Sequence, residues 1–125
     1  MSATAHAKSV YGSLARTIKT PRDIEYDVMA MITGRLQAAQ TDGGANAFPA
    51  LVAAMHENRR LWSAFAVDLA DSGNQFPKDL RARLFYLAEF VSQHTDKALS
   101  GAAPAEILVD INLAVMRGLR SHGGQ

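Results

Sequence analysis

Apolar side chains recur three and four residues apart along five stretches of the chain, and polar, turn-forming clusters separate those stretches. The first covers 6–18, where Val10, Leu14 and Ile18 share one face with Tyr11 beside them. Gly12 weakens it by up to about 1 kcal/mol relative to Ala, so this segment is marginal alone and needs something to pack on. The second, 21–39, has the strongest local start. Thr20 is placed to cap it, Pro21 sits where a missing N–H costs nothing, and Asp23 and Glu25 lie near the positive end of the helix dipole. Its apolar face reads Ile24, Val28, Met31 or Ile32, and Leu36, and it stops at Thr41-Asp42-Gly43-Gly44.

The third stretch, 49–70, opens at Pro49 and carries Leu51, Met55, Trp62, Phe65 and Leu69, interrupted by the polar Asn58-Arg59-Arg60. Asp71-Ser72-Gly73-Asn74 ends it. The fourth, 77–99, opens at Pro77; Leu80, Leu84, Leu87, Val91 and Ala98 line one side, while Phe85, Tyr86 and Phe90 spread beyond a narrow stripe. That width predicts a helix touching neighbours on more than one side. The fifth, 104–119, opens at Pro104 and repeats Ile107, Ile111, Val115 and Leu119 with Leu108 adjacent; Ser121 to Gln125 should fray. No stretch alternates as a strand would. The expected fold is all-α, a compact bundle of about five short to medium helices in a single domain over 1–125.

Composition narrows the function. With 48% hydrophobic and 20% charged residues, the chain has ordinary globular make-up. A net charge of +1, from 13 basic against 12 acidic residues, gives little long-range pull toward nucleic acid or an anionic membrane, and argues against direct binding to either. The absence of cysteine excludes disulfides and thiolate chemistry. No apolar run reaches the roughly 20 residues of a membrane span, and Met1 to His6 do not resemble a secretory signal, so the expected location is cytoplasmic.

Catalytic chemistry finds no foothold in the motifs. His6, His56, His94 and His122 make no HExxH pair, no G-x-S-x-G elbow is present, and Gly43-Gly44 lacks the surroundings of a phosphate loop. No metal, cofactor or enzymatic activity is expected. A basic cluster (Lys78, Arg81, Arg83, with Arg59-Arg60) could hold phosphates if it shared a face, but acids interleave it. Asn58, a poor helix former in mid-helix, is expected to bond to a neighbouring loop such as 71–76, with Asp71 and Asn74 answering Arg59 or Arg60.

Several long stretches resemble the FlaF family of flagellar biosynthesis regulators. They are Tyr11 with its small neighbours, T-P-R-D-I-E-Y at 20–26, F-P-A-L-V-A-A-M-H-E-N-R-R-L-W at 48–62, D-L-A-D-S-G-N at 68–74, L-R-A-R-L-F-Y-L-A-E-F-V-S-Q-H-T at 80–95 and I-N-L-A-V-M-R-G-L-R at 111–120. The resemblance implies a non-enzymatic protein that binds flagellin and promotes its synthesis or secretion, as a chaperone or assembly factor. It also implies a working relationship with FlbT, a second regulator that looks like a repressor of flagellin translation. Two alternatives stay open: an RNA-linked regulator of flagellin translation acting with FlbT, and a purely structural adaptor that self-associates. If flagellin's amphipathic ends are sheltered in a groove between helices, its candidate lining is Leu84, Phe85 and Val91, or Trp62 and Phe65, with Tyr11 partly closing it. Tyr26, at the end of the 20–26 motif, joins these candidates, and Arg22, Arg59, Arg60 and Arg81 are candidates for orienting the partner.

Overall fold

Pro21 is the first residue of a helix that runs to Thr41, as its fixed φ and missing N–H favour at that position. The computed structural model describes residues 21–45 and 47–123, leaving the side chains of 21–25 and 121–123 undescribed. The segment expected at 6–18, with Tyr11, lies outside those residues, as does the Thr20 cap. Four helices make up the described fold: α1 Pro21–Thr41, α2 Ala47–Ala70, α3 Lys78–Leu99 and α4 Glu106–Gly123. No strand occurs among the described residues, and the fold is all-α.

Boundaries shift where first-turn geometry allows it. α2 begins two residues before Pro49, because the first-turn N–H groups of a helix have no intrahelical acceptor and a proline there forfeits no bond. Pro77 is the residue before α3, its carbonyl accepting the Arg81 N–H at 2.9 Å. Pro104 stands two residues before α4, and α4 stays helical past 119 to Gly123, where fraying had been expected from Ser121.

The turns are built from local side-chain chemistry. Asp42 Oδ1 accepts the Gly44 N–H at 2.9 Å, and Asp71 Oδ1 accepts the Gly73 N–H at 2.9 Å, two Asx turns of one design. Asn74 stays within its own loop: its amide donates to the Asp68 carbonyl at 3.1 Å and its Oδ1 accepts from the Phe76 N–H. The expected bridge from Asn58 to this loop is therefore absent. α3 ends in a Schellman motif, in which Ala102 N–H donates to the Lys97 carbonyl (2.8 Å) and Gly101 N–H to that of Ala98 (3.1 Å), with Gly101 at φ +81°.

α1 packs lengthwise on α2 and on α4, and α2 packs on α3, whereas the neighbours α3 and α4 touch much less although a short loop joins them. Among the described residues three sides of the bundle are closely packed and the fourth lightly. Its core runs through Met29, Ile32 and Leu36 of α1; Met55, Trp62, Phe65 and Leu69 of α2; Leu84 and Val91 of α3; and Leu108, Val115 and Leu119 of α4. On α1 the inward register is Met29, Ile32 and Leu36, while Met31 is 49% exposed. On α4 it is Leu108, Asn112, Val115 and Leu119, so Ile107 and Ile111 fall to the edge, half-buried.

Candidate partner-binding site

Two features stand apart from an ordinary apolar bundle: a polar knot inside it and an apolar strip outside it. Inside, Thr33 of α1, Asn58 and Trp62 of α2, and Asn112 of α4 are all at most 2% exposed. An indole N–H can only donate, so the Asn112 atom it meets at 2.8 Å is Oδ1. The other Asn112 terminus is then Nδ2, and its two hydrogens go to Asn58 Oδ1 at 2.7 Å and Thr33 Oγ1 at 3.0 Å. The Thr33 hydroxyl passes its own proton to the Met29 carbonyl at 2.6 Å. This chain of donors fixes the orientation of each amide and leaves Asn58 Nδ2 buried with no partner. Three helices meet at Asn112, so the knot locks their relative register, a use of buried polarity that a purely apolar core lacks. Of its members, sequence reasoning singled out Asn58 and Trp62 but missed Thr33 and Asn112; their spacing from Met29 and Leu108, four residues on in each case, was the available signal.

Outside, α3 carries Tyr86 at 68% exposed and Phe90 at 38%, one helical turn apart, with half-buried Leu87 beside them. The Phe90 ring stacks on His94 (centroids 5.6 Å, planes 18° apart), and His94 Nε2–H donates to the Pro104 carbonyl at 2.8 Å. That bond ties this flank of α3 to the start of α4. Met116, whose sulfur meets Thr33 of α1, marks the α1 flank of α4; by helical geometry half-buried Ile107 and Ile111 fall on the opposite flank, so the lightly packed α3–α4 side is an apolar seam with Tyr86 and Phe90 at its edge. Phe85, 39% exposed, points about 140° away round the helix, toward the α2 side.

The candidates named from sequence divide sharply. Trp62 (1%), Phe65 (6%), Leu84 (5%) and Val91 (0%) are enclosed core residues and do not line an open groove: each sits on the innermost stripe of its helix. Phe85 is accessible but separate from the seam. Tyr26 is half-buried under the Arg120 guanidinium, 5.8 Å from its ring centroid, which joins the start of α1 to the end of α4. Arg59 pairs with Asp96 of α3 at 2.6 Å, not with Asp71. Arg60 is exposed at the rim of a shallow α1–α2 groove floored by Ala39, Ala50 and Ala54 and crossed by the Arg35–Glu57 ion pair. Arg81 is half-buried on α3. Tyr11 and the Arg22 side chain lie outside the described residues. The aromatic edge that the structure does expose, Tyr86 with Phe90, was legible only as unusual width of the α3 apolar face.

Among the described residues no helix is long and apolar enough to cross a membrane. The family model described as flagellar protein FlaF matches residues 7–119 of the chain. No curated protein and no solved structure matches it.

Proposed function

The chain belongs to the FlaF family of flagellar proteins, and from that premise we propose that it is a non-enzymatic partner of flagellin that promotes flagellin synthesis or secretion. In this reading an amphipathic helix of flagellin lays its apolar stripe along the α3–α4 seam, gripped at the edge by Tyr86 and Phe90. The observation that carries the reading is the exposure of those two rings beside the side of the bundle where, among the described residues, neighbouring helices touch least. Aromatic side chains bury large area at small entropic cost, which suits them as anchors. A partner helix would add to a side that the described helices leave half-covered, and sheltering flagellin's ends there would keep them from assembling with each other.

Calorimetric titration with purified flagellin, and in parallel with flagellin-leader RNA, tests this. Flagellin should bind the wild-type chain, and the double variant Tyr86→Ala/Phe90→Ala should bind at least about tenfold more weakly while keeping its fold. Binding to RNA with steep salt dependence and no affinity for flagellin would overturn the reading in favour of the RNA-linked alternative. Of the basic cluster that could serve RNA, Arg59 is already paired with the Asp96 carboxylate.

A further inference from the structure

We infer that the helix received at the α3–α4 seam carries two carboxylates about fourteen residues apart, one set against Arg83 and the other against Lys97, on the border of an apolar stripe that meets Tyr86 and Phe90. This rests on the partner reading above and names the charge pattern that the partner brings.

The outer edge of α3 repeats at alternating spacings of four and three: Asp79, Arg83, Tyr86, Phe90, Gln93 and Lys97, every one of them exposed. Residues so spaced share one strip of a helix, and a second helix packs along such a strip at a shallow crossing angle of about 20°. Two aromatic rings occupy its middle. A cation stands on each side of them, Arg83 one turn before Tyr86 and Lys97 two turns after Phe90.

Both cations are available to a partner. Among the described residues the ion pairs are Arg35 with Glu57 and Arg59 with Asp96, so neither the Arg83 nor the Lys97 side chain is engaged. Asp79 sits in the first turn of α3, where the helix dipole favours a carboxylate, and does not pair with Arg83 one turn on. Glu89 falls about 75° round the helix from the strip, toward Phe85. By helical geometry the α4 flank across the seam presents Ile107, Ile111, Ala114 and Gly118, which carry no charge. The strip therefore has two cations against one carboxylate, and its complement is an acidic border. An apolar stripe alone can seat at several registers, because sliding by a turn or two restores a similar face; charges at two fixed levels select one. Arg83 and Lys97 are fourteen residues apart, a rise of about 21 Å, and a helix lying nearly parallel to α3 spans that rise with the same count.

Carbodiimide coupling joins an amine to a carboxylate only when the two are in contact, and it tests this on the full chain with purified flagellin. Lys97, and position 83 in Arg83→Lys, should each form an amide with a flagellin aspartate or glutamate. Mass spectrometry should place those two carboxylates about fourteen residues apart in one flagellin helix. In calorimetric titrations at low salt, Arg83→Glu and Lys97→Glu should each weaken flagellin binding about fivefold or more, and the loss should fade near 1 M salt, where screening acts beyond about 3 Å. Arg117→Glu, exposed on the outward face of α4, makes the same change in net charge and should leave affinity within about twofold. Thermal melts check folding, and a reversal that unfolds the chain is replaced by Arg83→Gln or Lys97→Gln, with a loss of about twofold. Equal losses in all three reversals, losses that persist in high salt, or coupling to flagellin carboxylates of unrelated spacing would each overturn the inference. So would coupling of Lys97 only to a second copy of this chain. Flagellin that binds the wild-type chain, loses affinity with Tyr86→Ala/Phe90→Ala and ignores both reversals would sink the charge pattern and leave the partner reading standing. Flagellin that fails to bind the wild-type chain would sink both.

Discussion

Trp62 and Asn112, fifty residues apart, meet through a 2.8 Å indole-to-amide hydrogen bond at the centre of the bundle. Asn112 makes three side-chain bonds there, to α2 twice and to α1 once, while Asn58 makes one and leaves its own amide nitrogen unpaired. Losing either partner of a buried bond strands the other, at about 1–3 kcal/mol per stranded group. Asn112→Ala strands the Trp62 N–H and Asn58 Oδ1 and opens a cavity, so it should destabilise the protein by about 3–5 kcal/mol. Asn58→Ala removes one bond but also an unsatisfied donor, and should cost about 1–2 kcal/mol. Urea unfolding of the two variants checks the order; equal losses would show that the knot is not organised around Asn112.

Gly101 ends α3 with a positive φ that L side chains adopt only at a cost. No atom would clash with a Cβ there, so the strain is purely conformational. Gly101→Ala should lower stability by about 1–2 kcal/mol. Gly34, in mid-α1 with equally open surroundings, should respond in the opposite sense, since alanine raises helix propensity by about 1 kcal/mol. Thermal melts of the two variants, run side by side, separate backbone strain from crowding.

The sequence pattern made α2 nearly transparent. Leu51, Met55, Trp62, Phe65 and Leu69 fall on one face at spacings of four, seven, three and four, with Asn58 filling the long gap; enough apolar residues flank it that the face still reads correctly, and it packs on the core. α4 read one position off because its central inward residue is Asn112. A polar side chain in the innermost stripe breaks the apolar pattern, so the repeat shifted to Ile107 and Ile111, which are edge residues. The same happened on α1, where Thr33 occupies an inward position and Met29, not Val28, lies beneath it. Pattern alone also fails to say which large apolar groups are covered. Phe65 and Phe90 look alike in sequence, and only the pairing of helices decides that one is 6% exposed and the other 38%.

Arg59 and Asp96 bridge α2 to α3 at 2.6 Å, but the carboxylate is 70% exposed. Solvent screening limits such a pair to less than about 1 kcal/mol. Arg59→Ala should therefore shift the melting temperature little, and raising salt should erase the difference from wild type. A loss that persists in high salt would show that the aliphatic part of the side chain, packed along α3, carries the contribution.

Core and surface aromatics should part company in a paired stability and binding assay. Trp62 is enclosed and holds the Asn112 knot, so Trp62→Ala should cost about 3–5 kcal/mol and reduce binding of any partner only through unfolding. Tyr86 is 68% exposed and has little to lose from truncation, so Tyr86→Ala should change stability by no more than about 0.5 kcal/mol. If the α3–α4 seam receives flagellin, that near-silent change should still weaken flagellin binding severalfold. The two variants then give opposite signatures: one loses fold before affinity, the other affinity without fold. Unfolding curves and flagellin titrations on the same preparations distinguish them, and a Tyr86→Ala variant with unaltered flagellin affinity would move the contact off this edge of α3.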